Sequence, residues 1–249
     1  MAAVDLNSDL GEGAGTDEEL MPHVTSANVA CGAHAGDEAT MRRTSELALR
    51  HGVAVGAHPG YRDPANFGRV PLDIGPAALL ADLREQLATL RRVAHESGVA
   101  LAHVKAHGAL YNGGERDDAV AATIAEAVRS FDEDLLLFAP PGSAMERAAE
   151  RLGVRVAREG FADRAYEPDG TLRSRRLPAS VHTDPAVAAE QAVSIARDRR
   201  VRTSSGGWLP LEVDTICVHG DTPGAAAIAR AVREALRAAG VAVRPVTRR

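Results

Sequence analysis

The chain of 249 residues is poor in the residue types that mark special classes of protein. It has only two cysteines, Cys31 and Cys217, which lie far apart, and aromatic residues make up 3% of it. This cysteine content excludes a disulfide-stapled scaffold and is typical of a protein with reduced thiols. The chain opens Met-Ala-Ala-Val-Asp and contains neither a basic, apolar leader nor a long apolar run. We therefore expect a cytoplasmic protein with no signal peptide and no membrane span.

A large excess of charge of one sign is also missing. Lysine and arginine number 29 against 34 aspartates and glutamates, and the basic runs are short, such as Arg173–Arg176 and Arg197–Arg200. With a net charge of −5, we expect no nucleic-acid partner. Hydrophobic residues make up 45% of the chain, an ordinary globular content, and the length fits one large α/β domain or two smaller ones.

Short apolar runs alternate along the chain with longer segments of helical period. The runs are rich in Val, Leu and Ile and too short for buried helices, which predicts strands. They are Val4–Leu6, Ala27–Ala30, Val53–Gly56, Val99–Val104, Leu135–Ala139, Val154–Ala157, Thr215–Val218 and Val241–Val243. The helical segments are Ala39–His51, Ala77–Ser97, Asp118–Ser130, Ser143–Leu152, Pro185–Asp198 and Pro223–Ala239.

Eight strands that alternate with helices, each apolar along its length, predict a mainly parallel sheet covered by helices. We expect an α/β fold of the closed, irregular (β/α) TIM-like barrel type rather than an open doubly wound sheet, because no Gly-x-Gly-x-x-Gly motif follows the first strand. No repeat or linker divides the chain, so residues 1–249 are predicted to form one domain. A Ser-Ser-Gly-Gly turn at 204–207 predicts a small hairpin insertion over residues 200–214.

Polar segments follow six of the predicted strands, at the point where each strand ends. In a parallel barrel these positions meet at one mouth, where the active sites of this architecture lie. The segments are Asn7–Gly13, Cys31–Asp37, His58–Tyr61, Lys105–Asn112, Glu159–Tyr166 and His219–Pro223. They bring aspartate, glutamate, histidine and lysine together, which indicates a functional site.

Four of these residues, Asp9, His34, His58 and His107, allow two interpretations. They form either a buried hydrogen-bond network that only holds loops in place or an acid–base site. We favour the site, because unpaired ionisable groups are costly to bury. A divalent metal bound among the same four residues is a separate hypothesis. No Cys-x-x-Cys spacing supports it, and ligands from different strands cannot be counted from a sequence.

Lys105 ends an apolar run and is predicted to point inward, where it could hold an anion or polarise a carbonyl. Asp163 and Arg164 either serve the site or form a structural pair. Cys217 lies within a predicted strand and is interpreted as core. His103 faces the same side of its strand as Lys105 and receives no role.

Six segments together resemble a known family. They are Asp5–Gly13 (DLNSDLGEG), Thr25–Asp37 (TSANVACGAHAGD), Val55–Pro59 (VGAHP), Val104–Asn112 (VKAHGALYN), Phe161–Tyr166 (FADRAY) and Asp214–Pro223 (DTICVHGDTP). In this order they resemble the LamB/YcsF family, whose members are described as the A subunit of 5-oxoprolinase. The resemblance spans nearly the whole chain.

The resemblance implies an irregular (β/α) barrel related to the glycoside hydrolase and deacetylase superfamily. It further implies a hydrolase acting on a cyclic amide, namely the ATP-dependent opening of 5-oxoproline to glutamate by a complex with subunits B and C. ATP would be a cosubstrate, accompanied by Mg²⁺. The residues that the motifs place at the site are Asp9, Glu12, His34, His58, Lys105, His107, Glu159, Asp163, Arg164, His219 and Asp221. We assign catalysis to Asp9, His58, Lys105 and His107, and substrate binding to the other seven together with Asn7.

Opening a lactam needs an activated carbonyl, a base for water and an acid for the departing nitrogen. We expect Asp9 or a histidine such as His58 or His107 to activate water, and Lys105 and Arg164 to neutralise developing negative charge. Two other functions stay open at this point. One is a stand-alone, metal-dependent hydrolase or deacetylase acting on an amide or a carbohydrate, and the other is a non-catalytic subunit that binds the substrate.

The chain departs from the family pattern at three places. The loop after Gly-Glu-Gly, longer and aromatic in the family, is here the short segment 14–19. Ala33 replaces a usual phenylalanine, and Ala106 replaces a usual proline. The first two departures make the predicted mouth less aromatic, which bears on the fit of the substrate more than on the fold.

Overall fold

A computed structural model describes residues 2–246 of the chain. Residue 1 and residues 247–249, the ends of the predicted domain, lie outside the described residues. Within 2–246, seven parallel strands close into a barrel. They are β1 (Ala3–Leu10), β2 (Ser26–Ala30), β3 (Ala54–His58), β4 (Leu101–Lys105), β5 (Leu136–Ala139), β6 (Arg155–Phe161) and β9 (Thr215–His219). Each pairs in parallel with the next, and β9 pairs with both β6 and β1. The predicted irregular (β/α) barrel is therefore confirmed.

The eighth predicted strand is present but lies outside the closure of the barrel. This strand, β10 (Ala242–Val243), pairs only with the start of β1, at Ala3 and Val4. Further along, β1 pairs with β9 from Asp5 onward. The eight residues of β1 thus pair with two strands, one after the other, along the same edge. The second of these, β9, closes the barrel with seven strands.

Two short strands, β7 (Arg200–Arg202) and β8 (Trp208–Pro210), pair antiparallel before β9. They form a hairpin inside the segment 200–214, where the Ser-Ser-Gly-Gly turn predicted one. The hairpin lies beside β6 rather than in the barrel sheet.

Eight α-helices occur in the described part of the chain, and most cover the outside of the barrel. They are α1 (Asp17–Leu20), α2 (Glu38–His51), α3 (Pro76–Glu96), α4 (Gly108–Arg116), α5 (Asp118–Phe131), α6 (Ala144–Leu152), α7 (Pro185–Asp198) and α8 (Ala225–Ala238). Helix α2 shows why the boundaries fall where they do. The Asp37 carboxylate accepts a hydrogen bond from the Thr40 amide at 2.7 Å, and Gly52 ends the helix with φ of +66°.

One segment that the sequence predicted as a polar loop, Lys105–Asn112, contains the start of helix α4. The helix begins at Gly108, directly after β4 and the two residues that follow it. Its buried residues are Ala109, Leu110, Tyr111 and Gly114, and the first three belong to the main hydrophobic core between barrel and helices. Because these apolar residues span only one helical turn, the sequence shows no repeating helical pattern of apolar residues there.

Candidate active site

The interior of the barrel is lined by polar side chains that stand on alternate residues of the strands. In β1 these are Asp5, Asn7 and Asp9, all buried, since residues two apart face the same side of a strand. Each reaches across to polar groups of neighbouring strands. The result is a column of hydrogen bonds that runs from the start of the strands to their carboxyl ends.

The lowest layer surrounds Asp5 with hydroxyl groups. Thr25 and Ser26 each donate to Asp5 Oδ1 at 2.7 Å, and Thr215 donates to Oδ2 at 2.5 Å. Burial raises the pKa of Asp5 to about 6, and these three hydrogen bonds only partly oppose the shift. In this layer the buried Asp5 carboxylate and the three hydroxyl groups satisfy each other's hydrogen bonds at the amino-terminal ends of the strands.

The middle layer links three strands, β1, β2 and β4, through two asparagines. Asn28 Nδ2 donates to Asn7 Oδ1 at 2.7 Å and to Asp9 Oδ1 at 2.8 Å. His103 Nε2 donates to Asn28 Oδ1 at 2.7 Å. A Cβ on Gly56 would come within 2.1 Å of the His103 ring, so glycine at this position admits the imidazole into the barrel. His103 therefore positions Asn28, a role that the sequence left unassigned.

Lys105 occupies the centre of the next layer. Its ammonium group lies 2.8 Å from Asp9 Oδ1, 3.1 Å from Glu159 Oε1 and 3.0 Å from Cys217 Sγ. Burial lowers the pKa of Lys105, but the Asp9 and Glu159 carboxylates outweigh this effect. The net pKa is well above its ordinary value. Lys105 is also the only lysine of the chain. Cys217, expected to be plain core, contacts this cation.

His58 and His107 face each other at the mouth in fixed orientations. His58 Nδ1 lies 2.8 Å from the carbonyl oxygen of Lys105, and His107 Nε2 lies 2.8 Å from that of Phe67. Because a carbonyl oxygen only accepts, both of these nitrogens carry protons. The other two nitrogens, His58 Nε2 and His107 Nδ1, stand 3.0 Å apart, so a hydrogen bond between them needs one additional proton.

The carboxylates favour that proton on His58. Burial lowers the pKa of His58, but the charges of Asp9 and Glu12 outweigh this and raise it above its ordinary value. The pKa of His107 is lowered, chiefly by burial. For Asp9, burial raises the pKa, yet His58 and Lys105 bring it well below the usual range. The geometry and the directions of these shifts therefore favour an imidazolium on His58 beside an ionised Asp9.

Glu12 and His34 complete the cluster above this pair. Glu12 Oε1 lies 3.2 Å from both His34 Nε2 and His107 Nδ1, and 3.6 Å from His58 Nε2. The rings of His34 and His107 stack with centroids 3.7 Å apart. Burial lowers the pKa of His34 to about 4, so this ring is neutral at neutral pH. Burial raises the pKa of Glu12, but its contacts with His107 and His34 and the charge of His58 outweigh this and lower it below its usual value.

The donor set of this cluster fits a divalent metal ion. One atom each from Glu12, His34, His58 and His107 lies within 4.8 Å of the others. Glu12 Oε1 lies 3.2–3.6 Å from one nitrogen of each histidine, and the nitrogens of His58 and His107 are 3.0 Å apart. These four distances are close to the edges of about 3.3 Å in a tetrahedron with metal–nitrogen bonds of about 2.0 Å. His58 and His107 also make the outer hydrogen bonds typical of metal-binding imidazoles, whereas His34 Nδ1 has no partner among the described residues.

A second histidine–carboxylate pair closes the opposite side of the mouth. His219 Nδ1 lies 2.9 Å from Asp163 Oδ1, and Thr222 donates to Asp163 Oδ2 at 2.8 Å. The Phe161 ring stacks on the His219 ring. Since Nδ1 of His219 donates to Asp163, its Nε2, which has no hydrogen-bond partner among residues 2–246, is the nitrogen left for a ligand. The side chain of His219 is 14% exposed, so it is more accessible than His58 or His107.

Two of the predicted substrate-binding residues make no side-chain hydrogen bond or ion pair with this cluster among the described residues. Arg164 is held by backbone carbonyls, with Nε donating to Ser180 and a terminal nitrogen donating to Arg173. Burial, and then the charge of Arg175, lowers the pKa of Arg164 to about 10. The predicted Asp163–Arg164 pair is not formed as an ion pair within the described part of the chain. Asp221 lies at the rim and pairs with Arg69 and Arg175 from two other loops.

The structure therefore brings most of the predicted site residues into one connected cluster. These are Asn7, Asp9, Glu12, His34, His58, Lys105, His107, Glu159, Asp163 and His219. Sequence reasoning missed Asn28 and His103. The polar residue at every second position of an otherwise buried strand was the signal that could have found them. His103 and His107 have a metal-like spacing in sequence, but His103 points to Asn28 instead.

A seven-stranded parallel barrel with a buried acid–base cluster at the carboxyl ends of its strands is the architecture of an irregular (β/α)-barrel enzyme. Comparison with a deacetylase solved with its substrate agrees at the level of fold, with a TM-score of 0.53 at 11% identity over 97% of this chain and 87% of that one. The LamB/YcsF family profile matches residues 4–249. The chain belongs to the LamB/YcsF family.

Two relatives are much more similar. A protein of Symbiobacterium thermophilum, named as the A subunit of 5-oxoprolinase, is 49% identical over 245 residues, or 96% of this chain and 94% of that protein. The crystal structure of a lactam utilization protein from Thermus thermophilus has a TM-score of 0.92 at 44% identity and covers 98% of this chain and 100% of that one. Among residues 2–246, no helix has both the length and the apolar character needed to cross a membrane.

Proposed function

We propose that this chain is the A subunit of a 5-oxoprolinase, a hydrolase that opens the lactam of 5-oxo-L-proline to L-glutamate. ATP and water are consumed, and ADP and phosphate are released. One observation carries the proposal: a barrel with the fold of a lactam utilization protein places a protonated imidazole, a carboxylate and an ammonium group in one buried cluster. The names of the relatives supply the substrate.

The cluster offers the groups that lactam opening requires. His58 holds a proton whose pKa the neighbouring carboxylates raise, so we assign it the role of acid for the departing nitrogen. His219 presents a free nitrogen and is oriented by Asp163, which makes it the base that activates water. Lys105 stabilises negative charge that develops on the carbonyl oxygen. Asp9 and His107 hold these groups in place and tune their pKa values.

The remaining requirements belong to the complex. ATP, accompanied by Mg²⁺, activates the amide oxygen by phosphorylation, and subunits B and C complete the enzyme in the cytoplasm. Arg164 is a buried cation with no carboxylate bound to it among the described residues, so it is suited to the carboxylate of 5-oxoproline.

The test is an assay of glutamate release from 5-oxoproline and ATP, with and without this chain in the reconstituted complex. We expect release only when the chain is present. Replacing His219 with glutamine should lower kcat about 10²-fold or more, the usual contribution of a general base. Release that never depends on this chain would refute the proposal.

A second function, metal-dependent hydrolysis of an amide, is favoured by the metal-like donor set of Glu12, His34, His58 and His107. A bound divalent ion would polarise the carbonyl of the substrate. Its binding would displace the proton shared by His58 and His107, so affinity should fall at low pH. Metal analysis of the purified protein, with thermal unfolding in the presence of Zn²⁺ or Mg²⁺ between pH 5 and 8, separates the two functions. A stoichiometric metal together with hydrolysis free of ATP supports the second.

A further inference from the structure

A small cavity reaches the buried cluster from the side of strands β5 and β6. It has a volume of about 210 Å³ and lies between helix α4, the ends of these strands and the β7–β8 hairpin. Its lining includes Tyr111, Pro140, Phe161, Tyr166 and Leu209, and it also includes Glu159, whose other oxygen contacts Lys105. The cavity is thus joined to the charged centre through one carboxylate.

Two side-chain oxygens of the lining lack well-formed hydrogen bonds. Among the described residues, only four buried side-chain nitrogen or oxygen atoms are without one, and two of them are Tyr111 Oη and Glu159 Oε2. Both residues are at most 5% exposed. Because a buried polar group without a partner is costly, two such atoms in one cavity indicate a missing ligand.

The two oxygens differ in what they offer to a ligand. Burial, and then the charge of Glu159, raises the pKa of Tyr111 well above its usual value, so its hydroxyl keeps its proton and donates. Glu159 Oε2 is a carboxylate oxygen, and it accepts. The two side chains are near enough for Glu159 to attract the Tyr111 proton, although they do not meet in a well-formed hydrogen bond. A donor and an acceptor therefore stand close together at the same end of the cavity.

We propose that Tyr111 and Glu159 bind the amide edge of a lactam. In a small lactam the ring forces the peptide-like bond to be cis, so the C=O and N–H groups point to the same side. In an open-chain amide, which is trans, they point to opposite sides. The Tyr111 hydroxyl donates to the lactam carbonyl, and Glu159 Oε2 accepts from the lactam N–H. The pair thus selects cyclic amides over linear ones.

This inference rests on the proposed function, and it adds a specificity-determining residue, Tyr111, to the site. The flat side chains of Phe161 and Tyr166 border the same space. They suit a small planar ring, because aromatic faces pack well against flat groups. Glu159 in turn contacts Lys105 at 3.1 Å, which places a bound lactam next to the charged centre.

The test compares Tyr111→Phe with two other tyrosine-to-phenylalanine variants. Tyr61 lines a separate cavity, together with Gly113 of helix α4, and serves as the matched control for binding. Tyr166 Oη accepts a hydrogen bond from the Phe161 amide at 2.8 Å and serves as the control for stability. In the reconstituted complex, Tyr111→Phe should raise KM for 5-oxoproline about tenfold or more, while Tyr61→Phe leaves it unchanged.

Thermal unfolding gives a readout that a structural role would not produce. Tyr111→Phe removes a hydroxyl that makes no well-formed hydrogen bond, so the Tm should stay the same or rise, whereas Tyr166→Phe loses an existing hydrogen bond and should lower it. An unchanged KM in Tyr111→Phe, or a fall in Tm as large as that of Tyr166→Phe, would overturn the inference. Absence of turnover with the wild-type chain would instead refute the proposed function.

A lactone analogue of 5-oxoproline, in which the ring N–H is replaced by oxygen, tests the role of Glu159. It retains the carbonyl and the carboxylate but cannot donate to Glu159 Oε2. As a competitive inhibitor of the wild-type complex it should bind at least about tenfold more weakly than 5-oxoproline. Equal affinity for the lactone and the lactam would contradict the assignment.

Discussion

Two aspartates of strand β1, Asp5 and Asp9, stand in the same barrel with opposite electrostatic surroundings. Asp5 has three hydroxyl donors, and burial raises its pKa to about 6. Asp9 is equally buried, but His58 and Lys105 bring its pKa well below the usual range. Since both side chains have lost water, the difference comes from their neighbours. Only at the carboxyl ends of the strands do cations accompany the carboxylate.

The contrast shows how one barrel separates a structural end from a chemical end. At the lower end, neutral hydrogen bonds satisfy Asp5 and fix the strands relative to each other. At the mouth, the charges of Asp9, Glu12, His58 and Lys105 compensate each other and keep His58 protonated. A charged side chain buried inside a barrel needs a partner of opposite charge. Such a group of paired, ionised side chains is also what acid–base catalysis requires.

The largest expected effect comes from giving Asp9 the surroundings of Asp5. Replacing Lys105 with methionine removes the positive charge but keeps most of the volume of the side chain. Asp9 and Glu159 then stay buried without a counter-ion, so the free energy of unfolding should fall by about 3–5 kcal/mol. Turnover of the complex should fall about 10²- to 10³-fold. Denaturant unfolding at pH 7 and the glutamate assay measure the two effects.

The matched control for this variant is Arg42→Met. Arg42 pairs with Glu96 on the surface, where both side chains are about 40% exposed, so the loss should stay within about 1 kcal/mol. A Lys105→Met variant no less stable than the control would contradict the view that the buried pair balances the mouth.

Much of this architecture could be predicted from the sequence, because strands, helices and strand ends leave local patterns. The seven barrel strands and the convergence of His58, Lys105 and His107 follow from apolar runs that end in polar residues. The number of strands does not, because closure depends on the register between β1 and β9. The roles of Asn28 and Tyr111 could not be predicted either, since they depend on which groups face each other across the barrel or a cavity.

A smaller effect is expected from removing the lower carboxyl with Asp5→Asn. The folded pKa of Asp5, about 6, is above the value of 3.8 in an unfolded chain, so the folded state binds the proton more tightly. Its contribution to stability is therefore complete below about pH 4 and lost as the pH rises through 6. At about 1.4 kcal/mol per unit, the loss amounts to about 3 kcal/mol. The difference in unfolding free energy between wild type and variant should fall by this amount between pH 4 and 7.

Asp9→Asn is the natural comparison for the same measurement. The pKa of Asp9 is lowered in the folded state, so its contribution is present above about pH 4 and lost only at lower pH. Because Asp9 also raises the pKa of His58, the comparison is made in a His58→Asn background, where Asp9→Asn should change the free energy of unfolding by the same amount throughout pH 4 to 7. If the two variants showed the same pH dependence, the contrast between the two ends of the barrel would not hold.

The smallest effect is expected at the rim, where Asp221→Asn breaks ion pairs with Arg69 and Arg175. These side chains are 22–40% exposed, so water and salt already screen the charges. The free energy of unfolding should change by less than about 1 kcal/mol, and the change should shrink further in 0.5 M salt, roughly, where screening is nearly complete. Denaturant unfolding at low and high salt checks this. A loss of several kcal/mol would mean that the three mouth loops depend on Asp221 as the barrel interior depends on Asp9.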